Sequence, residues 1–122
     1  MTLVIVVDDD RGSLQLFRLI LERAGFDVLV SDYSMRGYAL IQQHKPPIAV
    51  LNDNMPVMTG GEMSRRIKTD PELAHIKVIL CSAGLRISDP QYVAASMADF
   101  GLAKPFAFQS LVRVINEMLC ST

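Results

Sequence analysis

The sequence predicts an α/β protein, a five-stranded parallel sheet with helices on both faces. Three observations predict it. Five short apolar runs recur along the 122 residues, and each of them is followed by a segment with helical spacing. The runs at 3–7 and 47–51 are apolar throughout rather than alternating, which is the pattern of strands covered on both faces. Strand–helix alternation repeated five times then closes on one parallel sheet. The length suits a single domain over residues 1–122.

Each element has its own signal. Leu3-Val4-Ile5-Val6-Val7 reads as the first strand. Leu14, Phe17, Leu21 and Ala24, with Leu16 and Ile20 beside them, fall on one helical face, and Gly25 supplies the stop. Strand two is expected over Phe26–Val30, a helix over Met35–His44 and strand three over Pro47–Leu51. Thr59 with Glu62 three residues on matches a capping box, and the helix it opens should end at Asp70-Pro71, because proline disfavours helical geometry in its predecessor. Ile76–Leu80 reads as strand four. Ser88-Asp89-Pro90 reads as a cap with proline in the first turn, opening a helix to about Ala98. Phe100–Ala103 is a short fifth strand. The final helix carries the stripe Phe108, Leu111, Val112, Ile115, Met118 and Leu119.

Composition narrows the function. Half the residues are hydrophobic and a fifth are charged, enough apolar material for a packed core. A formal net charge of −1 argues against nucleic-acid binding, which needs a basic surface. No apolar run is long enough to span a membrane, and no basic region precedes the first one as in a secretory signal. Cys81 and Cys120 form no metal spacing and no disulfide framework, so both are expected as reduced thiols in a cytoplasmic protein.

In sheets of this kind the functional site lies beyond the carboxyl ends of the strands. Four segments stand there: Asp8-Asp9-Asp10, Asn52-Asp53-Asn54, Cys81-Ser82-Ala83 and Lys104-Pro105-Phe106. Adjacent carboxylates repel unless a cation lies between them, and oxygen ligands suit magnesium. Asp8 and Asp9 are thus read as a divalent-cation site and Asp10 as the cap of the next helix. Ser82 places a hydroxyl at the same rim. Lys104 brings an ammonium that would neutralise the acids or a phosphoryl group.

The combination of Val6-Val7-Asp8-Asp9-Asp10, Asn52-Asp53-Asn54-Met55-Pro56-Val57-Met58-Thr59-Gly60, Ser82-Ala83 and Lys104-Pro105-Phe106 resembles the receiver domain of two-component response regulators. The resemblance covers essentially the whole chain. It implies the doubly wound, flavodoxin-like (CheY-like) sheet with strand order 2-1-3-4-5, and a cis Lys-Pro bond. It also implies a non-enzymatic signalling module that takes a phosphoryl group from a histidine kinase onto an aspartate, with magnesium alongside. By position, Asp8 and Asp9 match the acidic pair that holds the metal. Asn54 matches the residue whose carbonyl ligates it, Ser82 the switch hydroxyl, and Lys104 the lysine that pairs with the phosphoryl group.

The chain departs from this pattern at the acceptor. Four residues before Pro56 stands Asn52, where the family has its aspartate. A neutral amide cannot form an acyl phosphate, although its carbonyl oxygen remains available as a weak cation ligand or hydrogen-bond acceptor. Magnesium binding is therefore expected to be weak. The sequence fits a natural pseudo-receiver and an engineered Asp-to-Asn form equally. Alternatives are transfer to Asp53 or Asp9, and a haloacid-dehalogenase-like phosphatase built on Asp8 and Asp10, which Arg11-Gly12 fits poorly. A flavin-binding relative of the same fold lacks the phosphate loop it would need after strand one. Asp53, one residue along the strand, should point elsewhere.

A second departure is Gly101 where the family often carries an aromatic switch residue; Phe100, just before it, is read as core, with substitution for that switch as the alternative. Arg65, Arg66 and Lys68 read as a solvated face, and His44 and His75 as having no ligand role. Partners, a histidine kinase or another signalling protein, are expected on the face of helix four, strand five and helix five, roughly Asp89 to Leu119. That face carries Tyr92, Met97 and Arg113 and would also serve a homodimer.

Overall fold

A computed structural model describes residues 2–120. Five strands and five helices alternate: β1 (Leu3–Val7), α1 (Arg11–Arg23), β2 (Asp27–Ser31), α2 (Ser34–His44), β3 (Ile48–Asn52), α3 (Gly60–Thr69), β4 (Lys77–Ser82), α4 (Pro90–Ser96), β5 (Phe100–Ala103) and α5 (Phe108–Cys120). A single 3-10 turn, Leu85–Ser88, precedes α4. The strands pair in parallel in the order β2-β1-β3-β4-β5. Among the described residues no helix is long and apolar enough to cross a membrane.

The continuous apolar runs follow from the two-residue period of a strand. Along β1, Val4 and Val6 face the core closed by α1 and α5, where Phe17, Leu21, Leu111 and Ile115 lie. Ile5 and Val7 face the second core, with Ile41 from α2 and Met63 and Ile67 from α3. The same alternation runs along β3, with Ile48 and Val50 on the first side and Ala49 and Leu51 on the second. The next two residues therefore separate: Asn52 follows the α1/α5 side and Asp53 the α2/α3 side.

Helix starts match their sequence signals. The Asp10 side chain accepts from Ser13 N at 3.0 Å and Ser13 Oγ at 2.7 Å. Thr59 Oγ1 accepts from Glu62 N at 3.1 Å, but Glu62 Oε1 accepts from the Thr59 hydroxyl at 3.3 Å, so only half of the capping box is made through the backbone. Asp89 caps α4 ahead of Pro90. Gly25, at φ 97°, ends α1 in the left-handed region that suits glycine.

Several boundaries differ from the sequence expectation. β2 and β3 each lie one residue later. Pro47 has no N–H to give the ladder, while Ser31 and Asn52 pair with Val7 and Cys81 despite being polar. β4 runs on to Ser82. α4 stops at Ser96 because the Ser96 hydroxyl donates to Val93 O at 2.6 Å and accepts from Ala98 N at 3.2 Å, and Met97 turns left-handed. Phe100 is not core: β5 is an edge strand and leaves it 40% exposed. Lys68 is not a solvated charge, since its ammonium pairs with Asp99 Oδ2 at 2.7 Å and donates to Ile76 O at 2.7 Å. The Lys104–Pro105 peptide is cis.

Gly60, the first residue of α3, carries the tightest backbone approach. A Cβ there would sit 2.4 Å from the Asn52 carbonyl oxygen, a strand atom with nowhere to go. Gly60→Ala is expected to lower unfolding stability by about 2 kcal/mol in urea denaturation. Gly12→Ala, on exposed α1 with nothing nearer than 3.7 Å, should instead raise stability by about 0.5 kcal/mol through helix propensity.

Candidate functional site

The carboxyl ends of β1, β3, β4 and β5 converge on one polar pocket. Asp8, just past β1, is 2% exposed. Its Oδ1 accepts from Asp10 N at 3.0 Å and its Oδ2 from Lys104 Nζ at 2.9 Å. The same ammonium donates to Asn52 Oδ1 at 3.3 Å. On its other side Asn52 Nδ2 donates to Asp9 Oδ1 at 3.2 Å and to Asn54 O at 3.1 Å. Chemistry fixes this orientation of the amide: an ammonium only donates, and a carboxylate and a peptide carbonyl only accept. Asn54 Nδ2 continues the chain to Ser82 Oγ at 3.4 Å, and that hydroxyl accepts from Gly84 N at 2.9 Å. Asp8, Asp9, Asn52, Asn54, Ser82 and Lys104 are thus joined in one network. The Asp10 side chain stays outside it, and its hydrogen bonds from Ser13 hold its carboxyl below the usual value. Cys81, beneath the pocket, is buried, which pushes its thiol up to about 12.

A family model, the response regulator receiver domain, matches residues 4–116. The chain belongs to this family. A similar protein is the polar-differentiation response regulator DivK of Brucella anthropi, 24% identical over 116 residues that make up 95% of this chain and 94% of that one. The chemotaxis protein CheY4 of Vibrio cholerae has the same fold, with a TM-score of 0.88 and 24% identity over 97% of this chain and 98% of its own. A DNA-binding response regulator of the LuxR family from Staphylococcus aureus superposes at 0.87 with 26% identity, covering 97% and 98%. Receivers are signalling modules rather than enzymes, which sets aside the phosphatase alternative. They interact with histidine kinases and other signalling proteins, and generally bind magnesium at the acidic pocket.

The oxygens of this receiver's pocket meet the needs of a cation only in part. Among the described residues no group of three or more His, Cys, Asp or Glu side chains is placed to hold a metal ion. Asp8 already has both oxygens engaged. Asp9 Oδ1 and the Asn54 carbonyl face the hydrogens of the Asn52 amide, which bond them without supplying a charge. The amide oxygen faces Lys104, on the opposite side from Asp9 and the Asn54 carbonyl.

Asp53 lies on the other face of β3, 0% exposed, in a cluster of its own. Gly61 N donates to Oδ1 at 3.1 Å, Arg86 Nη2 to Oδ2 at 2.9 Å, and the Tyr92 hydroxyl lies 2.7 and 2.9 Å from the two oxygens. The Arg86 guanidinium also stacks over the Tyr92 ring, 4.9 Å from its centre. Tyr92, on the face of α4, is half-buried and turns its hydroxyl inward to this carboxylate. A buried charge requires donors. That rule and the β3 alternation were the available signal for the cluster, but the 3-10 turn that delivers Arg86 has no mark in the sequence.

Burial first, then the hydrogen bond to Asp53 and its charge, push the Tyr92 phenol from 10.0 up to about 12. Its folded value is raised, so the stability it contributes is complete below pH 10 and is lost as the pH climbs through about 12. Ultraviolet titration of the protein minus that of Tyr92→Phe should show one phenol ionising near pH 12 rather than 10.0.

Proposed function

We propose that this receiver takes no phosphoryl group and signals through protein–protein contacts set by its own sequence. The observation that carries the reading is the Asn52 amide, placed four residues before Pro56 and bridging Lys104 on one side to Asp9 and Asn54 on the other. The amide nitrogen's lone pair is delocalised into its carbonyl, so Asn52 is no nucleophile and forms no acyl phosphate. Ser82 and Lys104 occupy the positions that would bind the phosphoryl oxygens; here both are engaged within the protein.

Transfer to Asp53 is disfavoured because that carboxylate is enclosed and bound by three donors, with no path for an in-line donor. Asp9 is exposed, but it is turned to the Asn52 amide and Lys104 bonds Asp8 instead. Magnesium would be held by Asp8, Asp9 and the Asn54 carbonyl, with Asn52 Oδ1 joining only after its amide rotates. The cation would supply positive charge to phosphoryl oxygens, and with one carboxylate fewer the binding is weak. Partners, a histidine kinase, another signalling protein or a second copy of this chain, would read the face of α4, β5 and α5, where Met97 and Phe100 are exposed. At a net charge of −1 nucleic acid is not among them. The setting proposed is the cytoplasm.

Intact mass after incubation with magnesium and a small acyl phosphate tests this. The protein should be unchanged, while Asn52→Asp gains one phosphoryl group. A phosphoryl group on the unaltered chain contradicts the reading, and peptide mapping would then locate the acceptor.

A further inference from the structure

We propose that Asp53 is a built-in anion that clamps the 3-10 turn and α4 onto β3, and so fixes the α4–β5–α5 face in one arrangement with no phosphoryl group present. Three elements reach the one carboxylate: α3 through Gly61 N–H, the 3-10 turn through Arg86 and α4 through Tyr92. Arg86 donates also to Asn54 Oδ1 at 3.0 Å, which ties the clamp to the rim pocket. The cluster is fitted to its contents, for a Cβ on Gly61 would lie 3.0 Å from the Tyr92 hydroxyl and 3.3 Å from Asp53 Oδ1.

α4 has little buried surface of its own. It has seven residues, begins at a proline, ends at a left-handed Met97 and buries fully only Ser96. A helix this short draws its stability from packing, and α4 has little to draw on. A charged acceptor in a dry site gives the hydrogen bonds to it more weight than ordinary ones. Releasing either donor leaves the Asp53 charge short of a partner, so the segment has one favoured position rather than a continuum.

The clamp stands whether or not Asn52 takes a phosphoryl group; the proposal rests on the function above only for the claim that partners read this face. Amide hydrogen exchange on the whole chain, without any phosphodonor, therefore tests it separately from the mass measurement. The variants are Tyr92→Phe, which removes one hydroxyl and keeps the ring, and Arg86→Met, which removes the guanidinium. Both should speed exchange in residues 85–97 by about ten-fold or more while β1 and α1 keep the parent rates. Unchanged exchange in residues 85–97 overturns the clamp. Uniform acceleration across the sheet overturns it as well, because the cluster would then serve global stability alone.

Discussion

The Lys104 ammonium sits between Asp8 and Asn52, and the chemistry of the pocket follows from that placement. It comes from β5 and reaches β1 and β3 at once, 2.9 Å from Asp8 and 3.3 Å from Asn52. Asp8 is nearly enclosed, and a carboxylate in that position needs a positive partner. Because Lys104 only donates, it also selects which end of the Asn52 amide faces it. The amide's hydrogens are thereby sent toward Asp9 and the Asn54 carbonyl. The amide therefore presents its hydrogens, not its oxygen, to the side of the pocket where Asp9 and the Asn54 carbonyl face it.

Asn52, the last residue of β3, and Asp53 just after it thus build two separate sites. Strand alternation sends Asn52 to the rim pocket and Asp53 into the core between β3 and α4. In the first site Lys104 pairs with Asp8 and the neutral Asn52 amide donates to Asp9; in the second Arg86 pairs with Asp53, and a phenol and a peptide N–H donate to it. The two sites meet at Asn54, which accepts from Arg86 with one side-chain atom and donates to Ser82 with the other. That residue is the physical link between the pocket and the segment leading into α4.

The frame of the fold was legible because its signals are local. Continuous apolar runs marked β1 and β3, Thr59 and Asp89 marked helix starts, and the rim residues came together because every parallel strand delivers its C-terminal end to one edge. What stayed hidden depends on partners distant in sequence. Lys68 looked solvated until Asp99 met it across the β5 edge, and Phe100 looked like core until β5 proved to have no neighbour on its far side. Asp53 could be assigned a face by counting, but not its partners, since the 3-10 turn carrying Arg86 has no periodicity to read. The direction of the Asn52 amide likewise needed the positions of Lys104 and Asp9 together.

The central claim is that the neutral Asn52 amide, turned to Asp9 and the Asn54 carbonyl, leaves the pocket a weak magnesium site and no phosphoryl acceptor. The side-chain NH2 resonances of Asn52, followed by nuclear magnetic resonance during a magnesium titration, test it most directly. The account predicts that they stay put through millimolar magnesium, while Asn52→Asp shows saturable shifts at Asp9 and Asn54 over the same range. Saturable movement of the Asn52 amide at lower magnesium would mean that the amide gives up Lys104 to ligate the metal, and would contradict the account.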